Sequence, residues 1–221
     1  MTEITTQAPI QPASATPHKS PLHDFLAPDS IAIVGASADP TKRGYKAMVG
    51  LIKGNYRGRI YPLNPKVPEI LGVPTYAALD DIPGPVDLAL ICTPAATVPG
   101  LIAQLGERGI RAAVVVTAGL DKTTRQAMLD AARRHTLRIL GPNCIGMLVP
   151  HWGLNASFAH IGAMKGDIAF VSQSGALVTA MLDWAGSRGI GFSHFVSLGE
   201  RADVDFGDML DFLGSDANTR S

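Results

Sequence analysis

Small polar and glycine-containing segments follow several apolar runs of this sequence, and they contain the residues that could bind an anion. Gly35-Ala36-Ser37 comes directly after the apolar run at 30–34, and the chain returns through Lys42 to Gly44. Free backbone amides at the start of a helix, together with a nearby cation, bind phosphate groups. We therefore predict a phosphate-binding loop built from Gly35, Ala36, Ser37, Lys42 and Gly44. An ordinary strand-to-helix turn is the alternative, because the glycine spacing is not G-x-G-x-x-G.

The second apolar run ends in Asn64-Pro65-Lys66, which informs the choice of cofactor. A site for NAD places an acidic residue here, to hydrogen-bond the ribose hydroxyls. A lysine instead favours an additional phosphate, such as the 3′-phosphate of coenzyme A or the 2′-phosphate of NADP. A solvated turn lysine is the alternative interpretation of Lys66.

Three further apolar runs are followed by residues that we expect at the same edge of the predicted sheet. Thr93-Pro94 and Thr117-Ala118 follow two of them, and Asn143 follows the third after Gly141-Pro142. Proline and glycine turn the chain sharply, and an asparagine side chain both donates and accepts hydrogen bonds. Because the carboxyl ends of parallel strands meet at one edge, we expect these residues to lie around one ligand.

A further candidate segment, Ser172-Gln173-Ser174-Gly175, opens a predicted helix directly after a strand. Its hydroxyls and amides could bind a phosphate, or one serine could simply cap the helix. Two serines and a glycine favour the anion, so we predict phosphate binding by Ser172, Ser174 and Gly175. The residue two before Ser174 is serine, so the Gly-x-Ser-x-Gly turn of a hydrolase nucleophile is absent.

The elements that must position these loops alternate between strand and helix. Apolar runs predict strands at 30–34, 58–63, 86–92, 112–117 and 138–140, and helical periodicity predicts helices from residue 44, at 97–108 and at 123–135. In the first helix, the spacing of Tyr45, Met48, Val49 and Ile52 predicts one buried face. Strands that alternate with helices form a parallel sheet, so the predicted fold is α/β, with a Rossmann-like domain over 25–150.

A second α/β cycle begins after a stretch at 151–165 that lacks periodicity and is expected to be a linker. Strands at 167–171 and 191–196 alternate with helices at 176–187 and 205–213. Two strands and two helices cannot cover both faces of a sheet, so we expect 166–221 to be an incomplete flavodoxin-like domain of a truncated chain. Residues 1–24 begin with a Thr-, Pro- and Ser-rich stretch and are expected to be a disordered tail.

Composition excludes several classes of function. Lys plus Arg and Asp plus Glu number 19 each, so the chain lacks the positive field that nucleic acid or an anionic membrane requires. The two cysteines and six histidines show no metal-ligand spacing, so we predict no metal site. The apolar runs are shorter than the ~20 residues that span a bilayer, and no signal peptide is evident, so we expect a cytoplasmic protein.

Five motifs in order resemble the NDP-forming acyl-CoA synthetase superfamily, which includes the succinyl-CoA synthetase α subunit and the ADP-forming acetyl-CoA synthetases. The resemblance runs from about Phe25 to the end of the sequence. Its motifs are Gly35-Ala-Ser37, Asn64-Pro-Lys66, Gly141-Pro-Asn-Cys144, Ser172-Gln-Ser-Gly175, and Ser197-Leu-Gly199 with Ala202-Asp-Val-Asp205. Within the superfamily, 152–158 and Leu182-Asp-Trp184 are most similar to the synthetase-like region of bacterial GNAT protein lysine acetyltransferases.

The resemblance implies that coenzyme A or acetyl-CoA lies along Gly35, Ala36, Ser37, Lys66, the Val116-Thr117-Ala118 edge and Asn143. In the synthetases the segment 172–175 would face a phosphohistidine loop. That histidine belongs downstream of residue 221, so no catalytic residue is assigned in this sequence.

The leading functional hypothesis is a region that binds coenzyme A or an acyl-CoA thioester and is inactive alone. It would belong to an NDP-forming acyl-CoA synthetase or a protein acetyltransferase, with an ATP-grasp subunit or a fused domain as partner. The alternative is an α-type subunit of an ADP-forming acetate–CoA ligase that works with a separate ATP-grasp chain. An NADP-dependent oxidoreductase is a third hypothesis, which depends only on Lys66 and the fold.

Overall fold

The computed structural model describes residues 22–221 and has an α/β fold with two main sheets. The strands are, in chain order, β1 (Ser30–Val34), β2 (Arg59–Leu63), β3 (Glu69–Ile70), β4 (Val73–Pro74), β5 (Leu88–Ile91), β6 (Ala112–Val115), β7 (Arg138–Leu140), β8 (Gly146–Val149), β9 (Leu154–Ser157), β10 (Lys165–Ser172) and β11 (Phe192–Ser197). The helices are α1 (His23–Leu26), α2 (Arg43–Lys53), α3 (Val98–Glu107), α4 (Lys122–Arg134), α5 (Gly175–Gly186) and α6 (Phe206–Leu213).

The first sheet has five parallel strands in the order β2-β1-β5-β6-β7. Every residue of β1, β5 and β6 is buried, as expected for parallel strands covered on both faces. Ile31 and Ile33 pack into one hydrophobic cluster, whereas Ala32 and Val34 pack into another on the opposite face. The predicted α/β class and its Rossmann-like parallel sheet are confirmed.

Helix α2 packs against both main sheets, and its buried face differs from the prediction. Of the four residues expected on that face, only Met48 is buried, and Ile52 is 40% exposed. Its buried positions are Gly44, Ala47, Met48, Gly50 and Leu51. The expected face was wrong because glycine and alanine positions admit the close approach of a backbone: a Cβ on Gly50 would lie 2.8 Å from the Asn155 carbonyl oxygen of β9.

The second sheet has four strands in the order β10-β11-β8-β9. Strands β10 and β11 are parallel, and β8 pairs antiparallel with both β11 and β9. The expectation of an irregular linker at 151–165 was wrong for Leu154–Ser157, which forms β9. Four-residue strands separated by a glycine turn give too short an alternation to be recognised in the sequence.

The predicted disordered tail falls mainly on residues 1–21, outside the described part of the chain. His23 and Asp24, which the prediction included in that tail, belong to α1, whose Phe25 and Leu26 are buried in the core. Among residues 22–221, no helix has the length and apolar character needed to cross a membrane.

Candidate functional site

The carboxyl ends of β1, β2 and β5 surround a groove of about 760 Å³, which we call the rim groove. Strand β1 lies between β2 and β5, so the chain order reverses at this point of the sheet. Open α/β sheets bind ligands at such a reversal, beyond the carboxyl ends of the strands. The groove is lined by Gly35, Ala36, Ser37, Thr41, Lys42, Arg43, Gly44, Leu63, Asn64, Pro65, Lys66, Cys92, Thr93 and Pro94.

Two glycines allow the loop after β1 to approach its neighbours closely. Gly35 has a φ of +89°, and a Cβ there would lie 2.9 Å from the Thr93 Cγ2 atom. A Cβ on Gly44 would lie 2.1 Å from the Gly35 carbonyl oxygen, so the start of α2 contacts the loop through backbone atoms. Among the amides of this loop, those of Asp39, Thr41 and Lys42 donate within the turn, whereas those of Ser37, Arg43 and Gly44 bond to no other residue in the described range. Free amides at a helix N-terminus are the groups that bind phosphate.

Asn64 joins the loops after β1 and β2. Its side-chain amide N–H donates to the Ala36 carbonyl oxygen at 2.9 Å, and its Oδ1 accepts from the Lys66 backbone N–H at 2.8 Å. Both polar groups of the side chain are thus bonded to backbone, and Asn64 positions the groove wall. The Lys66 side chain is exposed at this wall and forms no ion pair with another residue in the described range.

A carboxylate stabilises the turn between Ser37 and α2. Asp39 Oδ1 accepts from the Thr41 backbone N–H at 2.9 Å and from its hydroxyl at 2.8 Å. The hydrogen bonds from Thr41 hold the pKa of Asp39 below its ordinary value. The Thr41 hydroxyl is therefore engaged within the turn, and Lys42 is the cation that lines the groove beside it.

A smaller pocket of about 250 Å³ lies beside the rim groove, and we call it the junction pocket. Arg43 lines both spaces, so they adjoin at its side chain. The Arg43 Nη1 donates to the Val116 carbonyl oxygen at 2.8 Å, and the guanidinium lies 4.9 Å from the centre of the Phe158 ring. The pocket is lined by Arg43, Val116, Asn143, Cys144, Ile145, Phe158, Gln173, Gly175, Gly199 and Glu200.

The structure separates the predicted residues Thr117 and Ala118 from both spaces, since neither residue lines the rim groove or the junction pocket. Thr117 is buried, and its hydroxyl donates to the Thr93 carbonyl oxygen at 2.7 Å. It therefore joins the ends of β5 and β6, while its neighbour Val116 reaches the pocket. Arg43 and Phe158 also line the pocket, and neither was among the predicted site residues.

The serines of the segment 172–175 form hydrogen bonds within the turn before α5. The Ser174 Oγ accepts from the Leu177 backbone N–H at 3.3 Å and caps the helix. The Ser172 Oγ accepts from the Ser174 backbone N–H at 3.1 Å. Of this segment, only Gly175 and Gln173 line the junction pocket. Phosphate binding by Ser172 and Ser174 stays a prediction, and the helix N-terminus itself faces the pocket through Gly175.

Neither cysteine at the site is a nucleophile at neutral pH. Burial raises the pKa of the Cys92 thiol and of the Cys144 thiol to about 12 in each case. The Cys144 thiol also donates to the Val115 carbonyl oxygen at 3.4 Å. Both groups are therefore neutral thiols that pack at the edge of the site.

Glycine-containing loops, and a lysine without an ion-pair partner in residues 22–221, lie at the reversal point of the parallel sheet, as in Rossmann-like α/β proteins that bind phosphorylated cofactors. The family described as "CoA binding domain" matches residues 29–150, and "Succinyl-CoA ligase like flavodoxin domain" matches residues 165–221. The chain belongs to the CoA-binding domain family.

The curated relatives that match this chain are longer proteins named as ligases. The α subunit of ADP-forming acetate–CoA ligase II from Pyrococcus furiosus is 40% identical over 195 residues, which are 86% of this chain and 42% of that subunit. The ADP-forming acetate–CoA ligase from Methanocaldococcus jannaschii is 39% identical over 197 residues, covering 87% of this chain and 28% of that enzyme. The chain thus spans less than half the length of these relatives.

A solved structure has the same fold over almost all of the chain. The dinucleotide-forming acetyl-coenzyme A synthetase 1 of Ca. Korarchaeum cryptofilum, in complex with phosphate and ADP, is 38% identical with a TM-score of 0.87. It matches 90% of this chain and 44% of its own. The resemblance to NDP-forming acyl-CoA synthetases is therefore confirmed, and the likeness to lysine acetyltransferases stays a prediction.

Proposed function

We propose that this chain binds coenzyme A or an acyl-CoA thioester, with the nucleotide end in the rim groove and the thiol end in the junction pocket. The observation that carries the proposal is that the two spaces adjoin at Arg43. A long ligand with a charged nucleotide and a small reactive end suits a wide groove that leads to a narrower pocket.

Lys66 supports coenzyme A as the ligand of the groove. The lysine lies at the end of β2, where a site for NAD would carry an acidic residue. Its ammonium group has no carboxylate partner in the described range, so it is free to bind the 3′-phosphate. The amides of Ser37, Arg43 and Gly44, which bond to no other residue in the described range, would then bind the diphosphate at the start of α2.

The junction pocket would hold the sulfur and a small acyl group. Val116, Ile145 and Phe158 give it apolar walls, and its volume is about 250 Å³. The Asn143 side chain would supply a hydrogen-bond donor and acceptor, and the N-terminus of α5 reaches the pocket with Gly175. A developing negative charge on an acyl carbonyl or phosphate oxygen would be stabilised by that helix terminus.

The wider proposal is that the chain acts as the α-type part of an ADP-forming acyl-CoA synthetase, with an ATP-grasp partner supplying the nucleotide chemistry. The relative from Pyrococcus furiosus is named as the α subunit of such a ligase, which supports this proposal. An acetyltransferase parent stays a prediction from the resemblance, as does a cytoplasmic location.

Calorimetric titration with coenzyme A, acetyl-CoA and NADPH tests the binding proposal. We expect saturable binding of coenzyme A and of acetyl-CoA, and at least tenfold weaker binding of NADPH, because the family that matches residues 29–150 is described as a CoA-binding domain. Absence of binding by both coenzyme A compounds at millimolar concentration would reject the proposal. Equal or tighter binding of NADPH would favour an oxidoreductase instead.

The wider proposal has a separate test. The chain is mixed with an ATP-grasp subunit from an ADP-forming acetate–CoA ligase and supplied with acetate, ATP and coenzyme A. Formation of acetyl-CoA would support the α-type proposal and overturn the expectation that the phosphohistidine lies downstream of residue 221. A mixture that binds coenzyme A and forms no thioester would leave the binding proposal intact and reject this chain as a sufficient α-type subunit.

A further inference from the structure

A third cavity, of about 740 Å³, lies between α2 and the second sheet, and we call it the α2 cavity. One side of α2 forms its first wall, and Leu148 of β8 and Leu154 of β9 form its floor. The segment 159–165 forms the opposite wall. The α2 cavity shares no residue with the rim groove or the junction pocket, so it is a separate space.

The wall that α2 contributes contains apolar side chains that the core does not use. Tyr45 and Val49, predicted from their spacing to be buried, are half-exposed and line this cavity. Ile161 and the 43% exposed Met164 face them from the opposite wall. These residues and the two floor leucines give the cavity an apolar interior in the size range of small-molecule sites.

The charges around this interior have one sign. Lys46, Lys53 and Lys165 line the cavity, and no aspartate or glutamate of residues 22–221 does. The whole chain has 19 cationic and 19 anionic side chains, so the charges around this cavity differ from the balance of the sequence. None of the three lysines forms an ion pair with another residue of the described range, whereas His160 is paired with Asp183 at 2.8 Å.

A buried amide completes the site. Asn155 is 7% exposed and lines the cavity, and its Oδ1 accepts a hydrogen bond of 2.5 Å from the Ser157 hydroxyl. Its side-chain N–H group bonds to no other residue in the described range, yet no fully buried polar atom there lacks a partner. The amide nitrogen is therefore not fully buried, and we expect it to donate to an oxygen atom of a ligand in the cavity.

We propose that the α2 cavity binds an amphipathic organic anion of medium length. The apolar body packs between Val49, Leu154 and Ile161, and the anionic head group is held by the lysines at the rim. A concave space of this volume with a one-sign rim suits such a molecule, because apolar burial supplies affinity and the lysines select the charge. The inference does not depend on the proposed coenzyme A function.

Calorimetry with four ligands that share a ten-carbon chain tests the inference on the whole chain. Decanoate and decyl phosphate should bind with one-to-one stoichiometry and dissociation constants below about 1 mM. Decyltrimethylammonium should bind at least about tenfold more weakly, with decanol between them. The ratio of decanoate to decyl phosphate affinity then distinguishes a carboxylate from a phosphate ligand. Saturating coenzyme A should leave the decanoate affinity unchanged.

Variants locate the binding. Changing Lys46 and Lys165 together to methionine should weaken decanoate about tenfold and leave decanol unchanged, whereas Lys122→Met on α4 should change neither. Val49→Trp should fill the cavity and remove binding of both ligands; the lysine pair carries the test if this variant unfolds. Absence of saturable decanoate binding, equal affinity for the cationic ligand, displacement by coenzyme A, or equal effects of the two kinds of lysine variant would each overturn the inference.

Discussion

Lys66 extends into solvent from the end of β2, and its own backbone N–H is held by Asn64. Because the side chain has no carboxylate partner in the described range, a ligand phosphate is the counter-charge that the proposal assigns to it. Asn64 sets the position of this lysine relative to the loop after β1. Lys66, which would bind the ligand phosphate, and Asn64, which positions Lys66, therefore have different functions within the same turn.

Lys66→Ala should weaken coenzyme A by about 1 to 3 kcal/mol of binding free energy, the contribution of a charge-assisted hydrogen bond to phosphate. Dephospho-coenzyme A, which lacks the 3′-phosphate, should lose much less. Calorimetric titration of both ligands against the variant measures the difference, and Lys122→Ala is the matched control on an exposed lysine elsewhere. Equal losses for the two ligands would show that Lys66 does not contact the 3′-phosphate.

Gly44 permits the contact between α2 and the loop after β1, so a methyl group at this position should disturb both the helix and the loop. A Cβ at this position would lie 2.1 Å from the Gly35 carbonyl oxygen. Gly44→Ala should lower the free energy of unfolding by about 1 to 3 kcal/mol and abolish coenzyme A binding, since the loop must move. Urea unfolding and calorimetric titration are the measurements.

Gly100→Ala is the control for that substitution. Gly100 lies in α3, where an added Cβ meets nothing within 4 Å. The change should raise the free energy of unfolding by about 0.5 to 1 kcal/mol and leave binding unaffected. Comparable destabilisation by both substitutions would show that the effect of Gly44→Ala is a general response to losing a glycine.

At the level of elements, the turn before α5 combines a cap with an exposed helix N-terminus at the junction pocket. Ser174→Ala should cost about 1 kcal/mol of stability, because the hydroxyl caps the helix. Ser174→Asp should retain the cap while its charge repels an anion at the same terminus.

Phosphate binding distinguishes the two functions of this turn. If α5 binds an anion, Ser174→Asp should be as stable as the unsubstituted protein and lose phosphate binding, which calorimetry measures. A Ser174→Asp variant that binds inorganic phosphate as well as the unsubstituted chain would limit the segment 172–175 to a structural cap.

At the level of the whole molecule, α2 contacts both sheets, so the two halves should unfold together. Both tryptophans, Trp152 and Trp184, lie in the second half of the chain, whereas the rim groove lies in the first half and the junction pocket has residues from both. Tryptophan fluorescence and far-ultraviolet circular dichroism should therefore report one coincident transition. Coenzyme A at about 100 times its dissociation constant should stabilise both signals equally, by about 2.7 kcal/mol. A fluorescence transition that coenzyme A leaves unshifted would show that the halves unfold independently.

The sequence predicted the first sheet and most of its rim, because buried parallel strands and their glycine or proline exits are local features. It did not predict that the Asn64 side chain hydrogen-bonds to the backbone of both Ala36 and Lys66. Nor did it predict that Thr117 is buried while Val116 lines the junction pocket. Those outcomes depend on which neighbouring strand each side chain meets. Strands β8 and β9 were missed because their runs are short, and the buried face of α2 was misassigned because it is built on glycine.

A crystal structure of the chain with acetyl-CoA bound would locate the ligand relative to the rim groove and the junction pocket. We expect density along the rim groove, with the 3′-phosphate within hydrogen-bond distance of the Lys66 ammonium group and the acetyl group in the junction pocket beside Arg43 and Asn143. Ligand density in the α2 cavity or elsewhere on the surface, together with a rim groove that lacks ligand, would contradict the proposed coenzyme A site.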